Sequence, residues 1–299
     1  MNNPDIVLYH HGKAHLPGIY SYISIFSALG IKCVIEHREK GFVPFGRIHW
    51  KFMGMVTDNP GTGKIAVHEY TSTSVPPFPR IKDFIKKTRN VKPDMRVFQN
   101  KLVGKVYSYN DNVPFFYRPV ICGEIFFKVP KIPHKYDFVY CGTLDPTRKI
   151  DKPLFRLIKF FPGRSFLIIG QPPAEISEEL SRFSNVTVTG KVPYEKVPEL
   201  MASARYGLNL VPDIYPFNQL ISTKLLEYTA IGLPVLTLGG AWLDSFEKEN
   251  GARFFRIGRD NLNKLDDFEF IVPSVNDYHP DSVFRKSGII EWVQKALGT

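Results

Sequence analysis

The sequence predicts an α/β protein made of two doubly wound domains, and three observations carry that expectation. At 299 residues and 43% apolar composition, the chain is long enough for two domains of ordinary size and is neither disordered nor fibrous. Its second half alternates short apolar runs with helical stretches at least four times, the pattern of a parallel sheet with helices on both faces. The stretch 218–240, NQLISTKLLEYTAIGLPVLTLGG, reads as helix, glycine stop and buried strand in immediate succession.

That stretch organises the rest. Ser222 and Thr223 are N-cap residue types, Leu225, Leu226, Thr229 and Ala230 share one arc of the wheel, and Gly232 supplies a left-handed stop. Thr223 and Glu227, four residues apart, share the edge of the apolar face, with Lys224 in the first turn. Unpaired backbone N–H groups, two hydroxyls and a lysine at a helix start can hold a phosphate, and a carboxylate one turn further in can accept ribose hydroxyls. An ordinary N-cap, with Glu227 favouring the positive helix end and Lys224 in solvent, accounts for the same residues more simply.

KLLEYTAIGLPV resembles the donor-site helix of GT-B glycosyltransferases, in particular the large retaining family 4, or group 1, type. The resemblance implies a GT-B architecture of two Rossmann-like doubly wound domains facing a cleft, 1–130 on the acceptor side and 131–299 binding the donor, with a last helix that in this fold often crosses back to the first domain. It implies transfer of a sugar from a nucleotide diphosphate sugar, UDP- or GDP-linked, to a hydroxyl of a glycan or lipid-linked saccharide, with retention of configuration. Two glutamates eight positions apart mark the family's helix entry. Glu227 matches the second, which binds the donor ribose, whereas Gln219 replaces the first, which lies against the donor sugar and supports departure of the nucleotide. That substitution puts the catalytic part of Gln219 in question and leaves donor binding untouched. No carboxylate cluster has magnesium spacing, so no metal or other cofactor is expected.

The start of the chain lacks a basic n-region followed by an apolar h-region, and no window approaches ~18 uninterrupted apolar residues, so the expected location is cytoplasmic. Cys33, Cys122 and Cys141 are too scattered for a metal site and read as reduced core thiols. A formal charge of +10 points to anionic partners. Much of the excess lies in the first half, at Lys82, Lys86, Lys87, Arg89, Lys92, Arg96, Lys101 and Lys105, interleaved with aromatics such as Phe45, Trp50, Phe52, Phe78 and Phe84. A peripheral contact with an anionic membrane leaflet and a merely solvated basic face both fit.

In chain order, 5–9 reads as a strand, 19–29 as a helix stopped by Gly30, and 31–36 as a strand. The loop between holds His10, His11, Gly12, His15 and Gly18. It resembles the glycine-containing acceptor-side loop of the family, and loop histidines are as readily just exposed. Residues 38–62 are poorly patterned and read as a loop with one short helix. The strand 64–68 leads to His68 and Glu69 at its carboxyl end, where open α/β sheets place their ligand crevice. Glu69 could take a proton or orient a hydroxyl, and His68 could contact the transferred sugar; a polar pair satisfying loop amides is the alternative. A helix at 79–89, a strand at 95–99, a helix at 101–106 and a strand-like NVPFFYRPV follow. PVICGEIFF is similar to the family's exit from the first domain, and the proline-rich VPKIPHKY is a short linker.

The second domain opens with strand 137–141 and the turn GTLDPTRKIDK, where Gly142 lets backbone amides approach an anion and Arg148 and Lys149 can pair with phosphate. Gly142 and Lys149 match the family spacing for the donor diphosphate, while Thr143 replaces its arginine. A surface turn is the alternative. Helix 154–161, strand 165–169 ending at Gly170, an amphipathic segment and strand 185–189 come next. Gly190, Lys191 and Val192 then resemble the segment whose backbone reads the nucleobase. Strand 206–211 precedes the 213–218 loop, 241–249 reads as a helix, 254–257 and 268–272 as edge strands, and 281–296 as one helix.

Three rivals stay open: an epimerase-type nucleotide-sugar enzyme, a catalytically silent nucleotide-sugar-binding subunit, and a nucleic-acid binder. The last is suggested by charge alone, with no recognisable module, so nucleic acid is not an expected partner.

Overall fold

The computed structural model describes residues 3–10, 16, 18–38, 40–52 and 54–299. The chain folds as two compact units, Met1–Gly123 with Asp277–Thr299, and Glu124–Asn276.

The first unit holds strands β1 (Ile6–Tyr9), β2 (Cys33–Glu36), β3 (Ile48–Phe52), β4 (Ile65–Tyr70), β5 (Met95–Phe98) and β6 (Phe115–Tyr117), all parallel in the order β2-β1-β3-β4-β5-β6. Helices α1 (Gly18–Ala28), α2 (Pro79–Arg89) and α3 (Lys101–Tyr107) connect them. Leu8, Trp50, Val67 and Val97 alternate onto one face and pack with Tyr22 and Phe26 of α1. The loop expected over 38–62 is corrected here, because it contains β3, buried along its whole length. His49 and Lys51 break the apolar pattern. Their polar atoms are covered by partners distant in sequence, the Tyr9 hydroxyl 2.7 Å from His49 Nδ1 and the Phe42 ring 4.2 Å from Lys51 Nζ.

The second unit runs β7 (Tyr136–Cys141), α4 (Asp151–Phe160), β8 (Phe166–Ile169), α5 (Ala174–Ser181), β9 (Val186–Val188), α6 (Val197–Ala202), β10 (Ala204–Asn209), α7 (Thr223–Ile231), β11 (Val235–Thr237), α8 (Ala241–Asn250) and β12 (Phe255–Arg256). Its sheet is parallel in the order β12-β11-β10-β7-β8-β9. From β7 the chain winds outward to β9, then returns to β10 and winds the other way. The topological switch point therefore lies between β7 and β10, where α/β sheets open their ligand crevice. Both units are Rossmann-like. The segment expected as an edge strand over 268–272 contributes only an antiparallel bridge between Arg253 and Ile271.

Asp277–Thr299 belongs to the first unit. Its single expected helix is two, α9 (Pro280–Ser287) and α10 (Ile289–Leu297), broken at Gly288 with φ 72°. Phe284 sits edge-on to Tyr22 with ring centroids 4.7 Å apart, and Val293 and Leu297 join the same core.

Candidate functional site

Three glycines stand at successive strand exits of the second unit. Gly142 follows β7, Gly170 follows β8 and Gly190 closes the turn after β9, with φ of 134°, 137° and 70°. The Gly142 amide donates to Ile169 O at 2.9 Å and the Gly170 amide to Gly190 O at 3.1 Å, so the row is held by main chain. A Cβ on Gly170 would lie 2.7 Å from Gly142 O, and one on Gly142 would lie 2.5 Å from Lys224 Cε. The absent side chains are what let Lys224 lie along this backbone.

Helix α7 delivers that lysine. Its cap Ser222 accepts from the Leu225 amide at 3.4 Å and donates its own hydroxyl proton to Asn209 Oδ1 at 2.7 Å. Asn209 Nδ2 donates in turn to Thr237 Oγ1 at 3.0 Å. The relay joins the exits of β10 and β11 to the start of α7. It also corrects the reading of Ser222 as a phosphate donor, since its proton is already committed and the residue is buried. The amides of Thr223 and Lys224 have no partner among the described residues, as the first turn of a helix leaves them.

Glu227 is buried one turn inside the helix and has no hydrogen-bond partner among the described residues. Burial pushes its carboxyl up to about 7, with Lys224 pulling the other way. The Lys224 ammonium is shifted down by burial and supported by Glu227. Next to Glu227, Tyr228 packs its ring on Gly207 of β10, where a Cβ would come within 2.5 Å of the ring. Its hydroxyl accepts from the Cys141 amide at 3.0 Å and donates to Val139 O at 3.4 Å. Helix α7 is thus pinned to both strands of the switch point. Burial raises the thiols of Cys141 and Cys33 to about 12, which makes both inert.

Across the same sheet edge, Arg148 pairs with Asp145 at 3.6 Å and lies 4.6 Å over the Phe217 ring. Phe217 opens the turn that carries Gln219, whose side-chain amide donates to Asn218 Oδ1 at 3.3 Å. Thr143 and Lys149 are exposed, and Lys149 takes a left-handed backbone with φ 52°. Lys191 is exposed and Val192 half-buried beyond Gly190. The Gln171 side-chain Oε1 lies 3.4 Å from where a Gly190 Cβ would be. The structure therefore gathers Gly142, Gly170, Gly190, Lys224 and Glu227 at one sheet edge, with Arg148 and Gln219 joined to each other through Phe217. Sequence reasoning missed Asn209, Thr237, Tyr228 and Gln171. Only Asn209 and Thr237 left a trace, as polar residues closing apolar strands.

In the first unit, His68 and Glu69 do not stand at a strand mouth, because β4 continues to Tyr70 and both side chains are buried. Glu69 Oε2 accepts from the Tyr22 hydroxyl at 2.6 Å and from Trp50 Nε1 at 2.8 Å, and Oε1 accepts from Arg118 Nε at 2.8 Å. Its acceptor capacity is spent inside the core, which corrects the catalytic reading to a structural ion pair. His68 lies between Lys51 and Arg96 in register, and burial with those two charges depresses its imidazole to about 3. It is neutral and turned into the unit, so the expected contact with a sugar is corrected as well. Gly18 opens α1 with room for a side chain. Gly12, His11 and His15 lie outside the described residues. No group of three or more potential metal-ligating side chains occurs among the described residues.

Residues 148–272 match the family model described as glycosyl transferase-like. Among solved structures, the chain is similar to sucrose-phosphate synthase from Thermosynechococcus elongatus, with TM-score 0.61 and 13% identity over 99% of this chain and 95% of that one. AviGT4, a glycosyltransferase involved in avilamycin A biosynthesis, gives TM-score 0.52 and 16% identity over 99% and 96%. Anabaena Alr3699/HepE, solved with UDP and glucose, gives 0.55 and 10% over 85% and 86%. No curated protein sequence matches the chain.

Proposed function

We propose that this chain is a GT-B glycosyltransferase of the group 1 type and that it moves a hexosyl-type sugar from a UDP- or GDP-linked donor to a hydroxyl of a glycan or lipid-linked saccharide; the glycosyl transferase-like match over 148–272 and the GT-B neighbours support that reading. The observation that carries the donor half is Glu227, a buried carboxyl with no hydrogen-bond partner among the described residues, one turn behind free helix amides and beside a lysine laid on a glycine corner. A carboxylate there can accept both hydroxyls of a ribose, and the amides with Lys224 can take the diphosphate. Lys149 and Arg148, in the turn that follows Gly142, would add positive charge for the diphosphate. As the bond to the sugar breaks, the growing charge on the diphosphate meets preorganised amides and cations, with no metal required by the proposal. Gly190, Lys191 and Val192 face the base, with Gln171 beside them. Retention of configuration is part of the proposal. Gln219 would then touch the donor sugar as an amide, able to donate a hydrogen bond but not to carry charge.

The Alr3699/HepE structure holds UDP and glucose, and that of the O-GlcNAc transferase GtfA holds UDP and GlcNAc, which supports a nucleotide-sugar donor. No described helix is long and apolar enough to cross a membrane. We place the chain in the cytoplasm, meeting a lipid-linked acceptor at an anionic membrane face, in a polysaccharide-building role.

The loss of acid at Gln219 favours one second reading, a nucleotide-sugar-binding subunit without turnover. Calorimetry and thermal shift against UDP, GDP, ADP and their sugars, on wild type and Glu227→Ala, test the site. One base class should bind, and the variant should lose it. Binding without transfer across an acceptor panel would select the second reading, and indifference to every nucleotide would sink both.

A further inference from the structure

Helix α2 is mounted with its polar side inward. Asp83 is its one buried residue, and Oδ1 accepts from the Ser74 amide at 2.9 Å and the Tyr107 hydroxyl at 3.0 Å. On the opposite side Ile81, Phe84 and Ile85 are 58%, 65% and 41% exposed, and Phe78 at the helix entry is 71% exposed. At 3.6 residues per turn the three helical residues fall within about 100° of arc. Arg80 and Lys87 border that arc on one side, Lys82 and Arg89 on the other. Five of the twelve large apolar residues exposed among those described lie in 75–85, so this is a patch and not scatter.

Amphipathic helices of water-soluble folds bury the apolar side; this one shows it to the outside and anchors itself by its single carboxylate. The exposed side is a convex ridge with basic residues along both borders and no acidic residue among its outward positions. A ridge of that form suits a deformable anionic surface, into which rings and branched chains sink while the basic heads stay with the headgroups.

We infer that α2 is an interfacial helix that seats on an anionic lipid surface, with Phe78, Ile81, Phe84 and Ile85 entering the acyl boundary and Arg80, Lys82, Lys87 and Arg89 meeting lipid phosphates. The inference rests on the membrane part of the proposed function alone, and it is read with no donor present, so its failure and that of the donor site are distinguishable.

The test is flotation of the full chain with phosphatidylcholine vesicles, with and without about one third phosphatidylglycerol, at low and high salt. Wild type should bind the anionic vesicles at least about tenfold more tightly, and raised salt should weaken that preference. The exposed double variant Ile81→Ser/Phe84→Ser should bind about tenfold more weakly or not at all, with an unchanged melting temperature. Arg80→Glu/Arg89→Glu should lose the preference for anionic over neutral vesicles. Equal binding by wild type and Ile81→Ser/Phe84→Ser overturns the inference, as does absence of anionic preference. Self-association that this double variant abolishes, without vesicle binding, would assign the ridge to a protein contact instead.

Discussion

Replacing Glu227 with glutamine should stabilise the nucleotide-free protein and disable the proposed donor site. The carboxyl is raised from 4.5 to about 7 by burial. For an acid shifted upward, the folded state keeps a proton that the unfolded chain releases between those two values. Stability therefore falls as pH rises through that window, and the full cost is present above pH 7. At 1.36 kcal/mol per unit the ceiling is roughly 3 kcal/mol. Glutamine has the same shape and no charge to desolvate, but it also removes the partner that supports the Lys224 ammonium. A net gain of about 1–2 kcal/mol at pH 8, vanishing near pH 5, is the expected balance. That corresponds to a few degrees in melting temperature, and scanning calorimetry from pH 5 to 9 reads it. Nucleotide affinity should fall at least about tenfold, because a ribose diol donates two hydrogen bonds to a carboxylate and only one side of an amide accepts. Wild-type affinity should also weaken from pH 8 to 6 as the proton competes, and the glutamine variant, carrying only the ligand phosphate's titration, supplies the baseline. A variant less stable than wild type at pH 8 would show that Glu227 is ionised and paired in the folded chain, and the reasoning would fail.

Three further substitutions separate scaffold from site. Gly207→Ala puts a methyl 2.5 Å from the Tyr228 ring on a buried strand, so urea unfolding should show a loss of about 1–3 kcal/mol or more; a wild-type midpoint would mean the ring can move freely. Glu69→Gln strands the buried Arg118 guanidinium and should cost about 3–5 kcal/mol. If that variant instead melts like wild type and loses only transfer, Glu69 is catalytic after all. Gly142→Ala, at φ 134° and against Lys224, should weaken nucleotide binding far more than it lowers the melting temperature; calorimetry with the bound nucleotide settles which.

The second unit was legible because its strands are buried on both faces and read as plain apolar runs, and because α7 carries both its caps in sequence, Ser222 and Gly232. The first unit hid what depends on distant partners. In β3, His49 and Lys51 look like loop residues until Tyr9 and Phe42 cover them. His68 and Glu69 were placed two residues too close to a strand end, and the partners that absorb Glu69 stand 47, 19 and 49 positions away. The same holds for Ser222: as a cap it is visible, but its tie to Asn209 and Thr237 needs the register of two strands. Local signals fix where elements begin and end, whereas the engagement of a polar side chain is decided by tertiary contacts.

The spacing at the start of α7 narrows the ligand beyond an anion. Free amides at Thr223 and Lys224 and the flat glycine corner would serve any phosphate, and by themselves they select nothing. Glu227 changes that, since a carboxylate would repel a phosphate placed directly upon it. One helical turn, about 5.4 Å, separates it from the amides. A ligand satisfying both must carry negative charge at one end and paired hydroxyl donors a short distance away, which a phosphorylated pentose does and inorganic phosphate does not. The burial of Glu227 costs stability, and the Tyr228 contacts with β7 and β10 together with the Ser222–Asn209–Thr237 relay hold the helix where that cost cannot be relieved by rotation. A rigid mount around a buried carboxyl that no hydrogen bond from the described residues engages is what the proposed nucleoside diphosphate site would require.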